Sequence, residues 1–130
     1  MSEERKRVLY VDDEEALRFL VPLALEPLGY VVKPLEGARE AMDELRAHPD
    51  AFDAVVTDLW MPGMSGIDLA RQVLVLRPGL PVIVSSGSVR PGERDAAIAA
   101  GARDMVLKPD TVQEFARVLD EAIRSELGPR

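Results

Sequence analysis

The stretch that decides the fold is DAVVTDLWMPGMSG, residues Asp53 to Gly66. It contains the apolar run Ala54–Thr57, and the carboxylate of Asp58 follows that run directly. Pro62 and Gly63, a turn signal, come four residues later. An apolar run of this length without polar alternation favours a strand buried on both faces, as in a parallel sheet. Taken alone, Asp58 could simply open the turn, so its meaning depends on what the rest of the chain brings to the same place.

Four other short apolar runs have the same character: Val8–Val11, Tyr30–Val32, Val82–Val84 and Met105–Leu107. The segments between the runs have the length and apolar periodicity of crossover helices. The predicted helices are Glu14–Leu28, Ala38–Ala47, a helix capped by Ser65 and Asp68, a short helix at Arg94–Ala100, and a helix capped by Thr111 and Glu114. Pro22 is expected to kink the first helix or to remove a hydrogen bond from it. This alternation predicts one three-layer α/β domain over residues 1–130.

Composition excludes several classes of function. The chain has 130 residues, 47% of them apolar, and a net charge of −7, which argues against general binding of nucleic acid. It has no cysteine, so disulfides, thiolate metal sites and cysteine nucleophiles are excluded. No secretory signal and no apolar run of membrane-spanning length is visible, so we expect a cytoplasmic domain that contacts no membrane.

Chemically active side chains follow the predicted strands. Asp12 and Asp13 come after the first run and Asp58 after the third, while the fourth ends in Ser85-Ser86-Gly87 and the fifth in Lys108-Pro109. Each has a simpler explanation, since Asp12 or Asp13 could cap a helix and Lys108 could be solvated. Ligands of open α/β sheets nevertheless bind outside the carboxyl ends of the strands, where the strand order reverses. The joint pattern therefore predicts one site at one edge of the sheet.

Four motifs carry a resemblance to a known family: VLYVDDEEALR at 8–18, VVTDLWMPGMSG at 55–66, PVIVSSG at 81–87 and GARDMVLKP at 101–109. Their order and spacing resemble the receiver domain of bacterial two-component response regulators, the CheY-like family, over essentially the whole chain. The resemblance implies a flavodoxin-like (βα)5 fold, with a five-stranded parallel sheet of order 2-1-3-4-5 flanked by five helices. It also implies transfer of a phosphoryl group from a phosphohistidine to Asp58.

The resemblance assigns a metal to the acidic residues. Asp13 and Asp58 are expected to bind Mg²⁺ directly, the backbone carbonyl of Trp60 to supply a third ligand, and Asp12 to act through water; Mn²⁺ could replace Mg²⁺. Elementary electrostatics agrees, since two carboxylates about 5 Å apart at an effective dielectric constant near 20 repel by roughly 3 kcal/mol. Such a cluster favours a hard dication with oxygen ligands.

Two further residues are expected to contact the phosphoryl group. Neighbouring strands lie about 4.8 Å apart, so the short hydroxyl of Ser86 can reach a phosphoryl group on the third strand. Lys108, one strand further away, has the long stem that the greater distance requires. The family also implies a cis peptide bond between Lys108 and Pro109, which would aim the lysine at the site.

The chain departs from the family pattern at two positions. Ser86 stands where many receivers carry threonine, and a hydroxyl is kept there. Met105 stands where many receivers carry an aromatic residue that moves with the switch, and we hypothesise weaker or differently routed coupling there. Trp60 and Ser88 flank the expected phosphoryl group, and neither side chain is suited to orient an attacking water. We therefore predict a long-lived phosphoryl group; the alternative for Trp60 is an exposed contact for a partner.

The leading interpretation is a phosphoacceptor signalling domain that catalyses its own phosphorylation and dephosphorylation and is not a conventional enzyme. Its expected partner is a histidine kinase or a histidine phosphotransfer protein, and a phosphorylation-dependent homodimer is a further expectation. The output is not readable from the sequence. The domain could also be part of a hybrid kinase or a longer regulator, acting as a relay or a phosphate sink.

Three other classes are less well supported. An aspartyl-phosphate hydrolase would need an acid at the position of Trp60. A flavin carrier would need a phosphate-binding loop where residues 12–15 are all acidic. A phosphate-independent receiver is disfavoured because Asp13, Asp58, Ser86 and Lys108 are all present.

Overall fold

The structure, a computed structural model, describes residues 5–88, 90–107 and 112–127. Across these ranges strands and helices alternate along the chain. The strands are β1 (Lys6–Val11), β2 (Tyr30–Leu35), β3 (Ala54–Asp58), β4 (Val82–Ser86) and β5 (Asp104–Leu107). The helices are α1 (Glu15–Leu25), α2 (Ala38–Ala47), α3 (Gly66–Leu76), α4 (Glu93–Ala99) and α5 (Val112–Leu127), with a 3₁₀ turn at Glu26–Leu28. Lys108, Pro109 and Thr111 lie outside the described residues. The role of Lys108, the cis bond to Pro109 and the cap by Thr111 therefore stay predictions.

The sheet has the predicted parallel order, β2-β1-β3-β4-β5. From β1 the chain first adds β2 on one side and then adds β3, β4 and β5 on the other. The order therefore reverses between β1 and β3. The carboxyl ends of these two strands form the crevice in which ligands of such sheets bind.

The core lies on both faces of the sheet. On one face, side chains of α2, α3 and α4 pack against residues such as Val55 and Val84; on the other, α1 and α5 pack against residues such as Val56 and Ile83. β3 and β4 are buried along their whole length, as predicted. The prediction was wrong for the two edge strands, since most of β2 is partly or fully exposed and only Met105 of β5 is buried; an edge strand has a neighbour on only one side.

The helix ends follow local sequence signals. The Ser65 hydroxyl accepts a hydrogen bond from the backbone N–H of Asp68, which confirms the predicted cap of α3. The first predicted helix is shorter than expected, since α1 ends at Leu25 and continues as the 3₁₀ turn. Pro22 stays inside α1, where it has no N–H to donate to the preceding turn. No described helix is long and apolar enough to cross a membrane.

Gly66 fixes the path of the loop between β3 and α3. Its N–H donates to the carbonyl of Leu59 at 2.8 Å, so the loop folds back onto the end of β3. A Cβ at this position would overlap the backbone carbonyl oxygen of Asp58 and lie 3.2 Å from the Cα of Leu59. Glycine is required here because of this close approach of two backbones.

Replacing Gly66 with alanine is expected to lower the free energy of unfolding by about 1–3 kcal/mol, the usual cost of overpacking. The loss should appear even though alanine is the better helix former by about 1 kcal/mol. Urea unfolding followed by circular dichroism measures it. Gly87→Ala is the matched control, since a Cβ at Gly87 would meet nothing within 4 Å. Equal stability of the two variants would contradict the steric argument.

Candidate functional site

Three carboxylates converge at the reversal point of the sheet. One oxygen each from Asp12, Asp13 and Asp58 lies within 4.8 Å of the other two. The strand register explains this, because Val11 pairs with Thr57 and the next residues, Asp12 and Asp58, therefore lie side by side. Asp12 is completely buried and Asp58 is 7% exposed, whereas Asp13 faces solvent. The sequence prediction that these three residues share one site is confirmed.

The donor set fits a hard dication. Mg²⁺ takes oxygen ligands at about 2.1 Å, so ligand atoms in its coordination shell lie at most about 4.2 Å apart. The carboxylate oxygens lie within 4.8 Å of one another, so small side-chain movements would close the shell. Mg²⁺ prefers to keep several of its water ligands. The expected arrangement, with Asp13 and Asp58 as direct ligands and Asp12 acting through water, would allow this.

The carboxylate of Asp12 accepts hydrogen bonds from Tyr10 and from the backbone of Glu14. The Tyr10 hydroxyl donates to Oδ2 at 2.7 Å, and the backbone N–H of Glu14 donates to Oδ1 at 2.9 Å. Burial raises the pKa of the Tyr10 hydroxyl far above its usual value, and nearby carboxylates, Asp12 foremost, raise it further. Tyr10 is therefore a neutral donor. Sequence reasoning missed it, although a polar tip two residues before Asp12, on the same face of a strand, was an available signal.

Positive charge reaches the site through Arg18. Its guanidinium donates to the backbone carbonyl of Asp12 at 3.0 Å, one helical turn into α1. This contact was also missed, because it goes to the backbone and has no sequence signature. Arg18 therefore places a positive charge beside the acid cluster, while its hydrogen bond goes to the backbone of Asp12 and not to its carboxylate.

The end of β3 is fastened to β4. The N–H of Leu59 donates to the carbonyl of Ser85 at 2.8 Å, and the Thr57 hydroxyl donates to the carbonyl of Asp58 at 3.0 Å. The first bond extends the pairing of β3 and β4 past Asp58, and the second lies within β3. The backbone of the expected nucleophile is thereby fixed on both sides.

Ser86 is the last residue of β4. Its hydroxyl donates to the carbonyl of Ser88 at 2.7 Å and accepts from the Ser88 N–H at 3.3 Å. The side chain therefore closes a tight turn with its own loop in this state. Because Asp58 pairs with Ser85, Ser86 lies one residue beyond Asp58 along the neighbouring strand.

The other predicted residues lie where the strands place them. Trp60 follows β3 and its side chain is 60% exposed. Met105 is buried in β5, packed with the core on the α2, α3 and α4 side. The Trp60 carbonyl as a metal ligand and the weaker coupling through Met105 stay predictions.

Neutralising one acid of the cluster is expected to stabilise the protein when no divalent cation is present. In Asp13→Asn two repulsive pairs disappear, and solvent screening limits the expected gain to about 1 kcal/mol. Thermal unfolding in EDTA and in Mg²⁺ measures it: Mg²⁺ should stabilise the wild type and have little effect on the variant. Asp50→Asn, the same change at an exposed acid in the turn after α2, is the matched control. A variant less stable than the wild type in EDTA would contradict the repulsion argument.

Comparison with known proteins agrees with this geometry. The family model for the response regulator receiver domain matches residues 8–120. The sensory/regulatory protein RpfC of Xanthomonas campestris pv. campestris is 39% identical over 107 residues, which cover 79% of this chain. The chain spans only 14% of the length of RpfC.

Solved structures show the same fold. A response regulator receiver domain protein from Clostridium thermocellum superposes with a TM-score of 0.86 at 26% identity, covering 93% of this chain and 96% of that one. The beryllofluoride-activated NtrC4 receiver domain dimer gives a TM-score of 0.85 at 30% identity, covering 92% and 98%. The resemblance read from the four motifs is thus confirmed. The chain belongs to the family of response regulator receiver domains of two-component signalling.

Proposed function

We propose that this domain accepts a phosphoryl group on Asp58 from the phosphohistidine of a sensor kinase or of a histidine phosphotransfer protein. The observation that carries the proposal is the acid cluster, in which a nearly buried carboxylate, Asp58, stands beside Asp12 and Asp13 at the reversal point of the sheet. Two-component receiver domains are the family to which the chain belongs. The domain would catalyse its own phosphorylation and dephosphorylation, with no separate substrate turned over.

The transfer is a displacement at phosphorus. An Asp58 carboxylate oxygen attacks, the bond between phosphorus and the histidine nitrogen breaks, and that nitrogen keeps the electron pair and takes up a proton. Mg²⁺, or Mn²⁺ in its place, would neutralise charge on the transferring oxygens when bound. Asp12 and Asp13 would hold the cation beside Asp58. Hydrolysis later breaks the acyl phosphate by attack of water and releases inorganic phosphate.

Phosphorylation of Asp58 would change the hydrogen-bond partner of Ser86. A hydroxyl carries one proton, so Ser86 can donate to a phosphoryl oxygen only by giving up its bond to the Ser88 carbonyl. That exchange would draw the β4–α4 loop toward Asp58. Lys108, which follows β5 directly, would pair with Asp58 before transfer and with a phosphoryl oxygen afterwards, as the family resemblance implies.

A protein donor is supported by the surface around the site. α1 begins two residues after Asp13, and its exposed side includes the apolar residues Phe19, Leu20 and Leu23. Trp60 is exposed beside the end of β3. Exposed large apolar side chains on the helix that follows Asp13 and in the loop that follows Asp58 suit contact with a protein better than with a free small molecule.

The place of the domain in a longer protein is a separate part of the proposal. RpfC, matched over a small part of its length, supports a receiver carried within a larger sensory protein as a relay or phosphate sink. The NtrC4 receiver dimer supports a homodimer that forms on phosphorylation. We propose a cytoplasmic location in either arrangement, because sensor kinases hold their phosphohistidines there.

Incubating the wild type with acetyl phosphate and Mg²⁺ is expected to add the mass of one phosphoryl group. Asp58→Asn should add none, because the amide lacks the nucleophilic oxygen. Intact-protein mass spectrometry measures both, with Asp50→Asn as the matched control that should be modified like the wild type. Modification of Asp58→Asn to the wild-type extent, or modification of the wild type in EDTA, would contradict the proposal.

The phosphoryl group is expected to be long-lived because the flanking positions do not orient water. Trp60→Asn introduces an amide that can hold an attacking water, so the phosphorylated protein should decay several-fold faster. The decay is followed by mass spectrometry after the phosphodonor is removed. Trp60→Leu removes the ring without adding an amide and should decay like the wild type. An unchanged rate in Trp60→Asn would instead favour Trp60 as a contact for a partner.

A further inference from the structure

Tyr10 places a hydroxyl inside the core next to the acid cluster. The side chain is 3% exposed, and its hydroxyl donates to Oδ2 of the completely buried Asp12 at 2.7 Å. The other oxygen of that carboxylate accepts the Glu14 N–H at 2.9 Å. These two bonds reach both oxygens and so restrict the position and the plane of the carboxylate.

The ring that carries this hydroxyl is itself fixed by the core. Tyr10 meets Phe115 of α5 edge to face, with ring centres 6.3 Å apart and planes at 65°. Both belong to the core cluster on the α1 and α5 side of the sheet. Residues two apart in a strand point to the same face, so Tyr10 approaches Asp12 from within this packed layer. The hydroxyl therefore has little freedom to leave Asp12.

The chemistry of the donor matters as much as its position. A buried carboxylate needs hydrogen bonds, and a lysine or arginine could supply them, but either would bring a positive charge that competes with a metal ion. A neutral hydroxyl holds the carboxylate and preserves the negative charge of the cluster. This distinguishes Tyr10 from Arg18, whose guanidinium contacts only the backbone of Asp12.

We infer that Tyr10 is a positioning residue for the divalent cation, acting through Asp12 and held in place by Phe115. The inference rests on the proposed metal site and adds to it a residue that the acidic motif does not include. Hydrogen-bond partners of metal-binding side chains orient them, and loss of such a partner costs about 10- to 100-fold in metal affinity. Tyr10 also links the site to α5 by direct contact.

Tyr30 is a matched control for a purely structural role. It is buried in the same core cluster, and its hydroxyl donates to the carbonyl of Ala116 in α5 at 3.3 Å. It pairs with Lys6 at the start of β1, six residues before Asp12, or about 20 Å along the strand. Tyr30→Phe therefore removes a buried tyrosine hydroxyl bond to α5 far from the acid cluster.

The test is a Mg²⁺ titration of the wild type, Tyr10→Phe and Tyr30→Phe. Trp60, the only tryptophan of the chain, gives a fluorescence signal beside the site, and calorimetry gives an independent measurement. Tyr10→Phe keeps the ring and its contact with Phe115, and circular dichroism checks that the fold is retained. We expect Tyr10→Phe to bind Mg²⁺ about tenfold more weakly and Tyr30→Phe to match the wild type.

A double-mutant cycle tests whether Tyr10 acts through Asp12. In the Asp12→Asn background, adding Tyr10→Phe should change the affinity for Mg²⁺ no further. Wild-type affinity in Tyr10→Phe, an equal loss in Tyr30→Phe, or a full additional loss in the Asp12→Asn background would overturn the inference and leave the metal site standing. A wild type that binds no Mg²⁺ by either method would overturn the proposed site, and the inference with it.

Discussion

Mutual repulsion among Asp12, Asp13 and Asp58 is the interaction on which the site depends. Two of these carboxylates are buried or nearly so, and all three have oxygens within 4.8 Å of one another. At that separation a pair sheltered from solvent repels by roughly 3 kcal/mol at an effective dielectric constant near 20, and solvent screening weakens the two pairs that include the exposed Asp13. The sheet imposes the arrangement, since parallel pairing of β1 with β3 leaves Asp12 and Asp58 side by side. Repulsion that the fold holds in place would give a cation the affinity proposed for this edge of the sheet.

The backbone around the cluster is correspondingly fixed. Leu59 is bonded to Ser85, and Gly66 folds back to Leu59, so the loop that carries Trp60 is fastened at both ends. The cap of α3 by Ser65 adds a further restraint just before Gly66. A loop held in this way would keep the Trp60 carbonyl, the predicted metal ligand, in place before a cation arrives. Preorganisation of this kind lowers the cost of binding.

Much of this arrangement was readable from the sequence because it follows from long-range regularities. Unbroken apolar runs predicted buried strands, and residues after those runs had to meet at one edge of the sheet; Asp12, Asp13 and Asp58 do so. The Ser65 cap followed from a local pattern. Strand order came from the family resemblance and not from periodicity.

What could not be predicted depends on packing in three dimensions. The exposure of β2 reflects its place at the edge, which no local pattern in the run from Tyr30 reveals. The position of Tyr10 two residues before Asp12 was a signal, but its bond to Asp12 depends on how the ring packs on the α1 and α5 side of the sheet. Arg18 contacts a backbone carbonyl, and any long donor at that position could do the same. Sequence patterns identify residue types and faces, but not the partner that a buried polar group selects.

The hydrogen bond of Ser86 sets a limit on how much one side chain can contribute to switching. In the present state its proton goes to the neutral Ser88 carbonyl, a bond worth about 1 kcal/mol net, whereas a bond to a charged acceptor is worth about 1.5–3 kcal/mol. The exchange would therefore favour the phosphorylated arrangement by about 1 kcal/mol, roughly a fivefold change in population. Moving an equilibrium from 1:99 to 99:1 takes about 5.5 kcal/mol. Most of any complete switch must therefore come from other contacts that differ between the two states. The buried Met105 on the adjoining strand can report them only by repacking within the core.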